Sequence, residues 1–214
     1  MIERVPLKMA AKEQIRGNIG ILLVCYLIVL VFSLGICLLM PIAGGLIVII
    51  IYPSFYMGIT MIFLNLTEGV KPKVEDLFKG FNFFGKALWL SILINVFVFL
   101  WLLLLIVPGI IKMLSYSMSY YILAENPEMS ALEALNRSKE IMHGHKKDLF
   151  ILFWSFFWWF LLGSVTLGIA YIYVWPYLIA TVTNFYKAIK DGTDGAEEVI
   201  IKEREPAFFP YETS

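Results

Sequence analysis

Six apolar runs, at residues 19–40, 46–66, 87–107, 110–125, 149–167 and 169–189, alternate with gaps of two kinds. Every Lys and Arg except Lys112, and every acidic residue, lies in or at the edge of the gaps before the first, third and fifth runs and after the sixth. The other gaps are turns without charge, marked by Pro41, Gly44 and Gly45, by Pro108 and Gly109, and by Gly168. Because Lys and Arg are retained on the cytoplasmic side, this alternation predicts an all-α polytopic membrane protein with six transmembrane helices and both termini inside. At ~1.5 Å per residue, a run of about 20 residues crosses a ~30 Å hydrocarbon core. The run at 110–125 is short for this, and calls for a thin bilayer or shielding by neighbours.

The charged gaps have structure of their own. Arg4, Lys8, Lys12 and Arg16 recur at helical spacing among Leu7, Met9, Ala10, Ala11 and Ile15, which predicts an amphipathic helix at the inner interface, ended by Gly17 and Asn18. Residues 67–86 repeat the pattern with Leu77, Phe78, Phe81, Phe83 and Phe84 as the apolar members. Ser130 and Glu133 have the spacing of a capping box, and Ala131, Ala134, Leu135, Ser138, Ile141 and Met142 share one face of the helix that follows, up to Gly144. Residues 1–190 thus read as one six-helix transmembrane domain. Residues 191–214, acidic and containing Pro206 and Pro210, read as a mostly disordered cytoplasmic tail. An inner amphipathic segment, an outgoing helix, a bare turn and a returning helix recur three times, with Gly17, Gly85 and Gly144 each before an outgoing helix.

Composition agrees with this and narrows the chemistry. Of 214 residues 60% are hydrophobic and only 16% charged, outside the range of soluble domains. The charges are confined to one side, where they meet the anionic inner leaflet and cytoplasmic partners, so nucleic acid is excluded as a partner. Cys25 and Cys37 would stand ~18 Å apart on one helix and cannot pair with each other. His143 and His145 flank Gly144 and point to different sides of a helix, unlike a metal pair. Catalytic triads, glycine-rich phosphate loops and nucleotide fingerprints are absent. The chain reads as a non-enzyme without a cofactor.

The candidate ligand contacts lie on the fourth run. Lys112 is the only charge outside the inner segments, about one turn into that helix. It either snorkels to the outer headgroups as an anchor or, with the free amides at the helix start, holds an anion such as a lipid phosphate. Lys112, Ser115, Tyr116 and Ser119 share one face, with Tyr120 and Tyr121 nearer the inner end. The stripe serves either as interhelical glue, with Asn95, Thr181, Thr183 and Asn184 as partners, or as part of a pathway. Pro53 and Pro176 break the hydrogen-bond ladder of two returning helices, which predicts kinks and freed carbonyls.

Several short motifs occur in order: Asp76-Leu77-Phe78-Lys79-Gly80-Phe81, Pro108-Gly109-Ile110-Ile111-Lys112, Tyr116-Ser117-Met118, Ser138-Lys139-Glu140-Ile141-Met142-His143-Gly144, Leu149-Phe150, Ser155-Phe156, Pro176-Tyr177 and Phe185-Tyr186. Together they resemble the bacterial integral membrane family called domain of unknown function 975, itself distantly similar to the membrane domain of some glycerophosphodiester phosphodiesterases. The resemblance implies a multi-pass protein of the bacterial plasma membrane with no assigned reaction. Two functions are then open: a transporter-like or lipid-handling protein that contacts membrane lipids, including anionic headgroups, or an accessory protein that docks a protein partner through its inner segments.

Overall fold

The computed structural model describes residues 2–41, 43–166, 168 and 170–204, and all regular structure among them is helical. The helices are α1 (Arg4–Ile15), α2 (Ile19–Leu39), α3 (Gly44–Thr67), α4 (Val74–Lys79), α5 (Phe84–Leu104), α6 (Ile106–Tyr116), α7 (Ser119–Glu125), α8 (Ala131–Ile141), α9 (Lys146–Trp154), α10 (Phe157–Val165) and α11 (Tyr171–Arg204). A 3-10 turn, Gly80–Phe83, joins α4 to α5. Four stretches are long and apolar enough to cross a membrane: Ile19–Leu39, Gly44–Thr67, Val74–Leu104 and Lys146–Val165. The expected fourth and sixth runs are not among them, because α6 and α7 are separate short helices and α11 is rich in Tyr, Thr and Asn. Helix α11 continues to Arg204, so the first part of the expected tail is helical. The rest of it, with Pro206 and Pro210, lies outside the described residues.

Helix α3 occupies the centre, packed against α2, α4, α5, α7 and α11. Its half after Pro53 is almost wholly buried, from Ser54 to Leu66. The segment expected to lie at the interface instead folds back on this half. Leu77 of α4 is fully buried, and Phe81 meets Phe55 of α3 edge-on at 4.9 Å between ring centres. The approach is set by Gly58 and Gly80. A Cβ on Gly58 would collide with the Leu77 carbonyl, and one on Gly80 with the Ser54 carbonyl, so only glycine lets these backbones meet. Asp76 starts α4 by accepting a hydrogen bond from the Lys73 amide at 3.1 Å and pairs with Lys79 at 2.6 Å. The motif Asp76–Phe81 is therefore a clasp on α3.

Helices α1 and α8 are built alike. Lys12-Glu13 and Gly17 in one recur as Lys139-Glu140 and Gly144 in the other, and both glycines take φ +86, the left-handed conformation that turns the chain into the next helix. Ala11 and Ile15 of α1 correspond to Ser138 and Met142 of α8, and all four are buried. The third expected hinge, Gly85, lies inside α5 with ordinary helical geometry, so this correspondence is twofold rather than threefold. Helix α1 docks on α11, where Gln14 and Asn184 exchange two side-chain hydrogen bonds of 2.9 Å. Helix α8 turns Ala131, Ala134, Leu135, Ser138 and Ile141 inward, and its capping box is formed, with Ser130 accepting from the Glu133 amide at 3.2 Å and the Ser130 amide donating to the Glu133 carboxylate at 2.8 Å. The hydrogen bonds from the Ser130 backbone and hydroxyl hold the Glu133 carboxyl below its ordinary value of 4.5. That stabilisation is complete above the ordinary value and is lost as pH falls through the depressed one.

The outer turn of the α5–α6 hairpin is one extended residue, Leu105, and not the expected Pro108-Gly109. Pro108 sits in the first turn of α6, where a missing amide costs nothing. Gly109 lies against Leu102 and closes the hairpin.

Gly58→Ala is expected to lower stability by about 1–3 kcal/mol, because backbone must give way. Gly20→Ala, on an open face of α2, is expected to leave it unchanged or slightly raised. Thermal unfolding of the two variants beside the parent in the same detergent checks both.

Candidate functional site

Among the described residues two helices of the bundle are interrupted in mid-course, both at serines. Between α6 and α7 the Ser117 hydroxyl turns back to the Leu114 carbonyl at 2.8 Å; between α9 and α10 the Ser155 hydroxyl does the same to Leu152 at 2.5 Å. Such bonds compete with the helical ladder. The backbone groups this leaves need partners. At the first break Ser138 of α8 supplies both, its hydroxyl donating to the Ser115 carbonyl at 2.8 Å and accepting from the Met118 amide at 3.2 Å. At the second, Lys8 of α1 reaches the Ser155 carbonyl at 3.5 Å and lies 4.4 Å over the Phe156 ring. Burial, and then the charges of Arg4 and Lys12, push the Lys8 pKa down. The two corresponding inner helices thus each support one break.

Beside the first break the bundle encloses a cavity of about 460 Å³. Tyr52 and Tyr56 of α3, Ile94 of α5, Met113, Leu114 and Tyr116 of α6, Ser117, Tyr120 and Tyr121 at and after the break, Phe153 of α9, and Trp175, Leu178, Ile179 and Val182 of α11 line it. Tyr56 meets Tyr120 edge-on with ring centres 4.8 Å apart, and stacks on Tyr52 at 6.4 Å. Behind these three rings lies a second cavity of about 410 Å³, lined also by Val48, Ile49, Pro53, Ser91 and Asn95. Tyr52, Met113 and Trp175 are 46, 52 and 41% exposed, which places the mouth between α3, α6 and α11, while Tyr121 is buried at the far wall.

An ion network closes the inner end of the same helices. Glu125, the last residue of α7, pairs with Lys187 at 2.8 Å and Lys190 at 2.7 Å on α11, and accepts from the Tyr186 hydroxyl at 2.7 Å. Lys187 also pairs with Glu68 at the end of α3, at 3.0 Å. Three helices that line the cavity are therefore tied beneath it.

Of the four expected contacts only Tyr116 reaches the cavity. Lys112 does not line it. Its ammonium lies 4.7 Å over the Trp101 ring on the facing helix. Ser115 and Ser119 are buried, with hydroxyls bonded back to Ile111 at 2.7 Å and Tyr116 at 2.8 Å. Of the expected cross-helix partners, Asn95 bonds to Ser91, Thr181 to Tyr177 and Asn184 to Gln14, while Thr183 bonds back to Ile179 and also shares a hydrogen bond with Tyr121 of the fourth run. Pro53 and Pro176, the expected kink sites, sit inside continuous helices. Pro53 borders the second cavity, and Pro176 follows Trp175 of the first. Sequence reasoning missed Tyr52, Tyr56, Phe153 and Trp175. The available signal was Tyr52 and Tyr56, one turn apart and bracketing Pro53. Among the described residues no group of three or more His, Cys, Asp or Glu could hold a metal ion.

An all-helical bundle with four apolar stretches long enough to cross a membrane fits an integral membrane protein. The chain belongs to the family described as protein of unknown function (DUF975), matched over residues 1–115 and 102–193. No curated protein and no solved structure matches it, and the wider likeness to the membrane domain of glycerophosphodiester phosphodiesterases has no support beyond the motifs themselves.

Ser138→Ala leaves the Met118 amide and the Ser115 carbonyl without their partner, and is expected to cost about 1–3 kcal/mol. Ser164→Ala, on an exposed hydroxyl of α10 that bonds the Phe160 carbonyl and the Tyr171 hydroxyl, is expected to cost less. Chemical or thermal unfolding in detergent distinguishes the two.

Proposed function

We propose that this is a non-enzymatic, six-span protein of the bacterial plasma membrane that takes a membrane amphiphile into the cavity at the α6–α7 break. The six spans follow from the apolar runs, with α6 and α7 together making the fourth crossing and α11 the sixth. Both termini then lie on the cytoplasmic side, as the placement of Lys and Arg requires. The bacterial membrane rests on the family resemblance.

The observation that carries the functional reading is the cavity: about 460 Å³, lined by aromatic and aliphatic side chains with a few hydroxyls, and open among helices that face lipid. That is the size and composition of a small-molecule site. The accessory reading has less behind it, because the apolar faces of α4 and α8, which a docked partner would use, are already packed against helices of this chain. Lys112 serves as an anchor for the α5–α6 hairpin, through Trp101.

Native mass spectrometry after gentle solubilisation tests the reading. The parent is expected to retain a membrane amphiphile, Ile179→Trp to lose it by filling the cavity, and Lys112→Met to retain it. Equal retention by the parent and Ile179→Trp would overturn the proposal.

A further inference from the structure

The walls of the cavity also restrict what it can hold. We infer that its ligand is a neutral amphiphile bearing a carbonyl acceptor, such as an ester lipid or an alkyl quinone, received by the phenols of Tyr52 and Tyr56. This inference rests on the functional reading above and narrows it to a ligand class.

The first argument is charge. No lining side chain is ionic. The nearest cation in sequence, Lys112, is held over Trp101, and the acidic and basic groups at the inner end are paired with one another. An anionic head in the cavity would lose its water with no countercharge in return, a cost that buried ions meet only by pairing.

The second argument is hydrogen bonding. Ser117 is committed to Leu114, and Tyr120 donates to the Ala87 carbonyl at 3.4 Å. Tyr121 shares a hydrogen bond with Thr183, whereas the hydroxyls of Tyr52 and Tyr56 line the cavity and make no hydrogen bond within the protein. A hydroxyl in so apolar a lining calls for a partner. A phenol without a partner is above all a donor, and it needs an acceptor. A quaternary ammonium would find aromatic faces here but would leave these donors unanswered. A neutral carbonyl meets both conditions, with its alkyl chain in the apolar mouth.

The test uses the full chain in lipid nanodiscs and four photoreactive alkyl probes of equal chain length, with a diazirine in the chain and an ester, quinone, phosphate or trimethylammonium head. Cross-linked peptides are mapped by mass spectrometry. The ester or the quinone is expected to label α3 and α11 at the cavity, and the stronger of the two names the source. Tyr52→Phe combined with Tyr56→Phe keeps the rings and is expected to reduce that labelling about five-fold, the worth of one hydrogen bond. In detergent without probe, Tyr56→Phe is expected not to lower the unfolding temperature, since it removes an unpaired hydroxyl. Predominant labelling by phosphate or trimethylammonium, or labelling at the parent level in the double variant, would overturn the inference. Ile179→Trp separates the two readings. If it abolishes labelling while the double Phe variant does not, the donor assignment alone falls; if cavity labelling persists in it, the functional reading falls as well.

Discussion

A peptide group released from a helix inside hydrocarbon has no water to turn to, so each interruption of a spanning helix must be answered by protein. Among the described residues this bundle has two such interruptions, and the answers come from its two inner amphipathic helices. Ser138 bridges Ser115 and Met118 across the first, and Lys8 reaches the Ser155 carbonyl at the second. The cavity lies beside the first, where α6 and α7 part from a common axis. The position of α8, the offset between α6 and α7 and the space beside it are therefore one arrangement. Moving α8 would strip partners from the break and reshape the cavity wall.

The central helix meets a different demand. Without a strong hydrophobic drive between helices in lipid, close backbone approach and van der Waals contact hold the bundle together. Gly58 and Gly80 allow the α4 clasp to lie on α3 at backbone distance, with Leu77 and Phe81 filling the space to either side. The inner half of α3 is thereby fixed by its own returning segment. Its outer half, from Val48 to Tyr56, is left to line the two cavities. Rigidity and opening are divided along one helix at Pro53.

Much of the helix plan is legible in the chain itself. Long apolar runs mark α2, α3 and α5, the Ser130 and Glu133 pair marks the start of α8, and the six residues expected on its inner face are all buried. The site is much less legible, for a physical reason. Ser117 and Ser155 are ordinary residues in a spanning helix, and only a partner elsewhere in the fold makes a break there tenable. The stripe of Lys112, Ser115, Tyr116 and Ser119 assumes one straight helix, which the turn at Ser117 and Met118 interrupts. The long stem of Lys112 then lets its charge settle on Trp101 rather than on the face its Cα suggests. Tyr52, Tyr56 and Trp175 come from three separate runs, and no local pattern shows that they converge.

The single-residue turn at Leu105 bears on how the protein enters the membrane. From Ala87 through Leu105 to Ile111 the α5–α6 hairpin carries no ionised side chain, and Lys112 arrives already covered by the Trp101 ring. Insertion of this pair moves no hydrated loop across the hydrocarbon, so the hairpin can partition as one unit, its leading edge as oily as the medium it enters.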